Sequence, residues 1–310
     1  MPSPPARVAA WAEVGAGLFV GLATLDVVQH VERVPGPNEK VVSASVEVSA
    51  GGPATNAAVT FAALGGKATL LTALGTSPVQ PVIIDDLNRH DVAVVDAAAP
   101  GHPGPAISAV SVVVGSGDRS VVSRNAEEAC VVVPANLADL VNRVGVVLVD
   151  GHLPALAGAT AAAAGHAGIP VILDGGSWKP AIAEVLPYVE AAVCSANFAV
   201  PGCTSAAESA QALLTMGVSF VAFTDGPRAV RWWRKDGFGA VDVRSVTARD
   251  TLGAGDVFHG AYAFAVAGRA DPIGALRLAA DVAAVRVEQA GPRAWLSDPR
   301  LEALAHRIDR

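Results

Sequence analysis

"DTLGAGDVFHGA", residues 250–261, places a run of small residues between two aspartates in a chain of which only 16% of residues are charged. Gly253, Ala254 and Gly255 carry almost no side chain, so their backbone N–H groups can surround an anion. The run after Asp256 has helical length and an apolar face. A helix beginning there would direct its unpaired N–H groups and its positive dipole end at the same anion. The segment therefore predicts a cradle for a phosphoryl group.

The position of Asp256 beside this cradle indicates a specific use for its carboxylate. It could accept a proton from a substrate hydroxyl that attacks phosphorus. The alternative is structural, with Asp256 capping a helix and the glycines forming a turn. No G-x-x-x-x-G-K-[ST] segment is present, and Phe258 takes the place of the third glycine of G-x-G-x-x-G. Taken alone, the motif indicates anion binding and leaves the reaction open.

Valine-rich runs recur along the chain and end in small or acidic residues, which is typical of buried parallel strands. They are GLFVGLATLD at 17–26, VGVVLVDG at 144–151, IPVILDGG at 169–176, EAAVCSAN at 190–197 and SFVAFTDG at 219–226. Alanine- and leucine-rich segments of helical length lie between the runs, and several of them end in glycine. This alternation predicts an α/β fold with a doubly wound, mostly parallel sheet flanked by helices.

Two segments, about 27–48 and 106–125, interrupt this rhythm. Each has strand-like pieces around a turn, Pro-Gly-Pro-Asn in the first and Gly-Ser-Gly-Asp in the second. We expect these hairpins to form a small second sheet that projects from the main one and serves as a β lid over a ligand. Decorative insertions are the alternative. Because no repeat or linker is found, we expect one domain over 16–310 after a loose tail over 1–15.

Composition excludes several classes of protein. The formal charge of −7 comes without a basic block, so we expect no nucleic-acid partner. Cys130, Cys194 and Cys203 have no paired spacing, which argues against a zinc site or a disulfide framework and favours the cytoplasm. The proline-rich start does not resemble a signal peptide. The weakly polar stretch 153–173 predicts a helix followed by a buried strand, so we expect no membrane partner.

The whole string at 250–261 resembles the D-T-x-G-A-G-D signature of the ribokinase-like, PfkB-type carbohydrate kinases. A second family feature, G-G-x-x-x-N at the start of a helix, is matched by Gly51, Gly52 and Asn56. The two motifs lie about two hundred residues apart in the family's order, and the resemblance covers nearly all of the chain after the tail. It implies an ATP-dependent kinase that moves the γ-phosphoryl group to a hydroxyl of a small sugar or sugar-like molecule.

The resemblance also implies roles for individual residues. Asp256 would be the general base, and backbone N–H groups over 253–256 would form the anion hole. Asp26, Gly51, Gly52 and Asn56 would bind the sugar, with Asp26 at the end of the first strand. Asp250 and Thr251 would lie near the nucleotide phosphates and the region of Mg²⁺ or of a monovalent cation such as K⁺. Lid-to-lid dimers occur in the family, so a homodimer through the lid sheets is a further expectation.

Two departures from the family pattern concern the nucleotide. FTDGPRAV at 223–230 matches the T-x-G-x-x-G nucleotide turn at Thr224 and Gly226, which we expect to contact ATP, but Ala229 replaces its last glycine. In the N-x-x-E motif, which begins here at Asn197, Val200 replaces the glutamate that arranges water around magnesium. Three acids at strand ends remain as candidates for that task, and none can be singled out as a metal ligand: Asp174, Asp225 and Asp250.

Some residues and alternatives stay open at this point. His152 and Asp150 follow a strand end and could reach the cleft, whereas His259, Trp232 and Trp233 are better explained by packing.

A non-catalytic sensor of sugars or nucleotides is the alternative to a kinase, motivated by the two departures. A nicotinamide oxidoreductase fits the fold class only. The acceptor, whether ribose, fructose, a sugar acid, a sulfonated sugar, a phosphosugar or a nucleoside, is not set by the sequence.

Overall fold

The computed structural model describes residues 15–126 and 128–309. The loose tail expected over 1–15 lies outside these residues except for Gly15. The described chain forms two sheets, one of nine strands and one of four. The strands, in chain order, are β1 (Ala16–Val20), β2 (Thr24–Val31), β3 (Ser45–Gly51), β4 (Lys67–Thr72), β5 (Val92–Asp96), β6 (Ala106–Val113), β7 (Arg119–Ser123), β8 (Val146–Val149), β9 (Val171–Gly175), β10 (Ala191–Ser195), β11 (Phe220–Asp225), β12 (Arg228–Arg234) and β13 (Gly237–Val241).

Helices connect most of the strands of the larger sheet. They are α1 (Pro53–Ala63), α2 (Gln80–Arg89), α3 (Leu137–Val141), α4 (Pro154–Ala167), α5 (Ile182–Val185), α6 (Ala206–Thr215), α7 (Ala254–Ala267), α8 (Pro272–Val287) and α9 (Arg300–Ala305), with short 3₁₀ turns at Leu186–Tyr188, Ala294–Ser297 and His306–Asp309. Within the described residues, no helix is long and apolar enough to cross a membrane. The stretch at 153–173 forms α4 and the start of β9, as its sequence predicts.

The larger sheet has the order β13-β12-β11-β10-β9-β8-β1-β4-β5. From β11 to β5 all neighbours are parallel, and the pairs β11/β12 and β12/β13 at one edge are antiparallel. Alternate residues of β1 enter different cores: Phe19 packs in the core of α1, α7 and α8, and Leu18 and Val20 pack in that of α4 and α6. The predicted doubly wound, mostly parallel sheet is confirmed.

The smaller sheet has the order β3-β2-β6-β7 and unites both predicted hairpins. The pairs β2/β3 and β6/β7 are antiparallel, and parallel pairing of β2 with β6 joins them. Val28, Val110 and Val112 on its inner face are buried and pack against Leu252, in the loop before α7. The small sheet therefore packs against the segment 250–256 through Leu252.

One expectation about the chain path was wrong. The run GLFVGLATLD is not a single strand, because the chain leaves β1 after Val20 and enters the small sheet at Thr24. Between them, the Leu22 N–H donates to Asp150 Oδ2 at 2.9 Å and the Leu22 carbonyl accepts from Thr55 Oγ1 at 3.0 Å. Where the chain passes from one sheet to the other, the backbone of Leu22 thus pairs with side chains and not with a neighbouring strand. Asp26 consequently lies on the lid strand β2, not at the end of the first strand.

Candidate active site

The G-G-x-x-x-N segment brings the chain from the lid into α1 past the Asp26 carboxylate. A Cβ on Gly51 would lie 2.0 Å from Asp26 Oδ2, and one on Gly52, where φ is 101°, would lie 2.2 Å from the Leu22 carbonyl oxygen. Only glycine permits both the close approach and this backbone conformation. Asp26 accepts a hydrogen bond from Thr24 Oγ1 at 2.6 Å, and burial raises its pKa. The two glycines thus hold a desolvated carboxylate against the start of α1.

The glycine–aspartate loop leads into α7 as its sequence predicts. Gly253 is the N-cap residue, in the left-handed conformation with φ of 70°. Ala254 N–H donates to the Thr251 carbonyl at 3.3 Å, so it is the least available of the four expected anion-hole donors. Over the described residues, nothing accepts a hydrogen bond from the N–H of Gly253, Gly255 or Asp256. These three N–H groups at the positive end of α7 suit a negatively charged ligand.

The two motifs meet in a side-chain hydrogen bond. Asn56 Nδ2 donates to Asp256 Oδ2 at 2.8 Å, across a separation of 200 residues in sequence. The close packing of α1 on α7 makes this possible, since a Cβ on Gly260 would lie 2.3 Å from the Ala57 carbonyl oxygen. Asp26, Asn56 and Gly253 also line one recess. The structure therefore places the predicted sugar-binding residues beside the predicted base.

The pKa of the Asp256 carboxyl group lies near neutral pH. Removal from water raises its pKa to about 7, and the negative charge of Asp174 acts in the same direction. The hydrogen bond from Asn56 opposes this rise by stabilising the ionised form. A carboxyl group with a pKa near working pH can exchange a proton with a hydroxyl, as general-base catalysis requires.

Arg293, which the sequence analysis did not single out, fixes the orientation of Asn56. Its Nη1 donates to Asn56 Oδ1 at 3.1 Å, so the amide must present its Nδ2 to Asp256. Its Nη2 donates to the Ala50 carbonyl at 2.6 Å and to Asp86 Oδ2 at 3.2 Å. Hydrogen bonds from Nε to Asp86 and from Nη1 to the carbonyl of Pro292 complete the set. These five bonds match the donor capacity of a guanidinium.

Asp86 anchors this arginine from α2. It is buried, and its Oδ2 also accepts a hydrogen bond from the Ala50 N–H at 2.9 Å. Although burial opposes ionisation, hydrogen bonding with His90 and the charge of Arg293 lower the Asp86 pKa to about 2. Asp86, Arg293, Asn56 and Asp256 thus form one continuous chain of hydrogen bonds that ends at the predicted base.

Asp250 has a different environment from the one expected of a nucleotide contact. Its side chain is fully buried, and its Oδ2 lies 2.9 Å from Nη2 of Arg286 on α8. Thr251 remains accessible, and its Oγ1 accepts a hydrogen bond from Nη1 of Arg119 on the lid strand β7 at 2.8 Å. Thr251 therefore connects the lid to the loop over 250–253 that leads into α7, here called the anion loop. The Asp250 carboxylate, in contrast, faces the protein interior.

The predicted nucleotide turn is the tight connection between β11 and β12. Thr224 Oγ1 donates to the Cys194 carbonyl at 3.3 Å, and Gly226 is exposed with φ of 55°. Ala229 lies within β12, so the place of the family's last glycine belongs to a strand. Asp225 is held by two hydrogen bonds from Arg228, at 2.6 and 2.7 Å. The exposed surface of this turn consequently consists of Thr224, Gly226 and their neighbours in the loop.

Val200, where the family has glutamate, is buried in the core of α6. Among the described residues, no group of three or more His, Cys, Asp or Glu side chains could hold a metal ion. Magnesium in kinases is usually held by one or two carboxylates together with substrate phosphates and water. The chain fits that mode, in which the nucleotide brings most of the ligands, better than a dedicated protein cage.

The acids and histidines near the strand ends fall into two groups. Asp150 is structural: it accepts hydrogen bonds from the N–H of Leu22, of Ala54 at 3.2 Å and of His152 at 2.9 Å. Asp174 and His259 form a buried pair, with Nδ1 of His259 3.3 Å from Asp174 Oδ2 and its Nε2 2.9 Å from the Val193 carbonyl oxygen. Burial raises the Asp174 pKa and lowers that of His152. The charge of Asp174 raises the pKa of Asp256, and that of His259 opposes this rise.

Trp232 and Trp233 lie on β12, where they pack on β11. Trp232 stacks on Phe220 with ring centroids 6.1 Å apart, and Trp233 meets Phe223 edge-on at 5.9 Å. These contacts agree with the packing roles expected from the sequence.

Comparisons with known proteins place this geometry in context. A family model described as "pfkB family carbohydrate kinase" matches residues 18–299. Ribokinase of Bacillus subtilis (strain 168) is 25% identical over 276 residues, which cover 86% of this chain and 91% of the relative. A solved structure from Agrobacterium tumefaciens is 26% identical, with a TM-score of 0.81 over 96% of this chain and 99% of that chain. The ribokinase of Arabidopsis thaliana complexed with ribose and ATP is 22% identical, with a TM-score of 0.77 and the same coverage of the two chains.

Proposed function

The chain belongs to the pfkB family of carbohydrate kinases, and from this premise we propose that Asp256 is the general base of an ATP-dependent sugar kinase. The hydrogen bond between Asn56 and Asp256 is the observation that carries the proposal, because it unites the two motifs around one ionisable group. The pKa of about 7 suits a carboxylate that must accept a proton at neutral pH.

In the proposed reaction, Asp256 accepts the proton of one sugar hydroxyl as its oxygen attacks the γ-phosphorus of ATP. The bond from the γ-phosphorus to the bridging oxygen breaks, and ADP leaves with that electron pair. The N–H groups of Gly253, Gly255 and Asp256 stabilise the charge on the transferred group. Each such donor typically contributes about 3–4 kcal/mol to lowering the barrier.

The nucleotide is proposed to lie along the carboxyl edge of β10 and β11, with contacts from Thr224, Gly226 and Thr251. ATP would bring Mg²⁺, which neutralises negative charge on the phosphates during transfer. Asp225 and Asp250 are already bonded to Arg228 and Arg286. The chain therefore contributes to metal binding mainly by positioning the phosphates and excluding water.

The proposed sugar site combines the acceptor oxygens of Asp26 with the Asn56 amide and the backbone at Gly51 and Gly52. Adjacent acceptors and donors suit the neighbouring hydroxyls of a sugar. Because all five N–H groups of Arg293 are engaged, this arginine has none left for a sulfonate or phosphate. An uncharged sugar is therefore the acceptor that this pocket favours.

We propose that residues 16–310 act as one kinase domain, with the small sheet as its lid. The insertions at about 27–48 and 106–125 supply that lid, whose inner valines pack on Leu252 beside the anion loop. Closure would exclude water from the phosphoryl group.

The outer face of the lid supports the proposed homodimer. One register row crosses all four strands as Val48, Val27, Ala109 and Val122. Val48 and Val122 are 50% and 76% exposed, an apolar surface that a second copy of the same sheet could cover.

The purified chain should be tested with ATP, Mg²⁺ and a panel of neutral sugars, sugar acids, phosphosugars, sulfonated sugars and nucleosides, with ADP release as the readout. A reaction without acceptor measures background hydrolysis. We expect acceptor-dependent ADP release with at least one uncharged sugar. ATP binding without release for any acceptor would contradict the kinase and favour a sensor of sugars or nucleotides.

A further inference from the structure

The ion pair between Arg286 and Asp250 is the most deeply buried one over the described residues, with exposed side-chain fractions of 1% and 0%. Arg286 lies in the last turn of α8, and Asp250 opens the loop that leads to the anion hole. The Arg286 Nη2 donates to Asp250 Oδ2 at 2.9 Å. A fixed positive charge thus lies directly behind the proposed anion-binding loop.

Carbonyl oxygens complete the surroundings of this guanidinium. Arg286 Nη1 donates to the Gln289 carbonyl at 2.9 Å and to the Asp250 carbonyl at 3.4 Å. A carboxylate combined with backbone carbonyls is also a donor set that suits an alkali cation. Arg286 therefore donates hydrogen bonds to the same types of oxygen atom that would coordinate a monovalent cation.

The Asp250 carboxylate offers little to such a cation, because three of its roughly four acceptor positions are already occupied. Its Oδ1 accepts a hydrogen bond from the Leu252 N–H at 2.8 Å, and its Oδ2 accepts a second one, from the Gly291 N–H, at 3.1 Å. A second cation at this carboxylate would also face repulsion from the guanidinium at short range and low dielectric. The residues present do not fit the monovalent-cation site that the family resemblance implies near Asp250.

We propose that Arg286 replaces the monovalent cation, so that this kinase turns over without K⁺ or any other monovalent cation. A guanidinium keeps its charge throughout the working pH range. Through Asp250 Oδ1 it fixes Leu252, and through Oδ2 it fixes Gly291 in the loop after α8. The anion loop is therefore ordered permanently and does not depend on the ionic composition of the medium. The inference about turnover rests on the proposed kinase function.

The first test measures ADP release by the wild-type chain in buffers whose monovalent cation is tetramethylammonium, Na⁺ or K⁺, at constant ionic strength. Constant ionic strength removes general screening from the comparison. We expect rates that agree within about twofold, since the loop is already ordered. Activation of about tenfold or more by K⁺ or Na⁺ over tetramethylammonium would overturn the proposal.

A second test needs no turnover and separates this inference from the proposed function. Crystals of the wild-type chain soaked in Tl⁺, a heavy substitute for K⁺, should show no anomalous peak within bonding distance of Asp250. A peak bonded to its carboxylate would overturn the proposal even if the chain proved not to be a kinase. Absence of turnover with every acceptor would instead contradict the proposed function and leave this test valid.

The Arg286→Ala variant provides the matched comparison. Without the guanidinium, the Asp250 carboxylate is left buried without a counter-charge, so a cation that enters should raise the melting temperature. We expect K⁺ or methylguanidinium to raise the melting temperature of the variant and to leave that of the wild-type chain unchanged relative to tetramethylammonium. A cation-specific rise of equal size in both proteins would count against the proposal, and the wild-type tests decide it on their own.

Discussion

At the residue scale, the site depends on how one amide is oriented. Asn56 can donate to Asp256 only because its oxygen is occupied by Arg293. The sequence predicted Asn56 and Asp256 from motifs, but Arg293 lies 237 residues from Asn56 and belongs to none of them. Such a contact arises from the tertiary arrangement of α1, α2 and the loop after α8, which local patterns do not encode.

The raised pKa of Asp256 predicts how turnover depends on pH. The base must be ionised to accept a proton, so kcat/KM for the sugar should rise with pH through about 7 and level off above it. Initial rates across buffers of constant ionic strength measure this profile. A rate that stays constant from about pH 5.5 to 8.5 would contradict a base with this pKa.

Raising the pH should increase turnover but lower the stability of the folded chain, because Asp256 ionises in both cases. Its folded-state pKa of about 7 lies above the value of about 3.9 for an unfolded chain, so between these values the folded state binds more protons. Stability from this group is therefore lost as pH rises through that window. The melting temperature of Asp256→Asn minus that of wild type should increase from low to high pH across it.

Arg293 should act as a positioning residue. Arg293→Lys keeps the charge but cannot bridge Asn56, Asp86 and the Ala50 carbonyl with one ammonium group. We expect kcat to fall about 100-fold through misplacement of the amide. The midpoint of the pH profile should also move upward, because the hydrogen bond from Asn56 that lowers the Asp256 pKa is weakened.

Arg89→Lys on α2 is the matched control for that substitution. Its ion pair with Asp85 is exposed, so stability should stay within about 0.5 kcal/mol and the kinetics should not change. A wild-type pH profile and kcat in Arg293→Lys would show that the guanidinium does not position Asn56.

At the element scale, hydrophobic runs predicted five of the parallel strands, β1 and β8 to β11, and turn residues predicted both lid hairpins, whereas β4 and β5 were not among the predicted runs. Hydrophobic periodicity failed at 21–23, where the chain changes sheets through side-chain hydrogen bonds to Leu22 that have no periodic signal. It also could not show that Val200 packs under α6. Buried strands and amphipathic hairpins follow from local sequence, whereas a crossing between two sheets depends on distant partners.

The lid sheet should carry the dimer contact on its outer face. Val122→Lys places a charge in the apolar row that crosses the four strands, which should favour the monomer if that face is covered by a second copy. Sedimentation velocity over a range of protein concentrations measures the change. Val42→Lys is the control, since Val42 is 81% exposed and lies outside the lid strands. Dimers of equal stability in wild type and Val122→Lys would exclude this face as the interface.

At the scale of the whole molecule, the two sheets and the core of α1, α7 and α8 bring distant segments of the chain to one carboxyl edge. Asp26 comes from the lid, Asn56 from α1 and Asp256 from α7, and each is held by contacts that the other elements supply. The family signature predicted these three residues. The effect of Arg293 on the pKa of Asp26 and that of Asp174 on the pKa of Asp256 became evident only from the folded chain.

The most direct test of Asp256 as the general base compares phosphoryl transfer by wild type and Asp256→Asn. The reaction is followed by ³¹P NMR with ATP, Mg²⁺ and the acceptor sugar at concentrations where both proteins bind them. The Asp236→Asn variant, altered at an exposed aspartate on the surface, serves as control. We predict that sugar phosphate forms with wild type and with the control, and that Asp256→Asn forms it about 10²–10⁴ times more slowly. Transfer by Asp256→Asn at the wild-type rate would contradict the assignment of Asp256 as the general base.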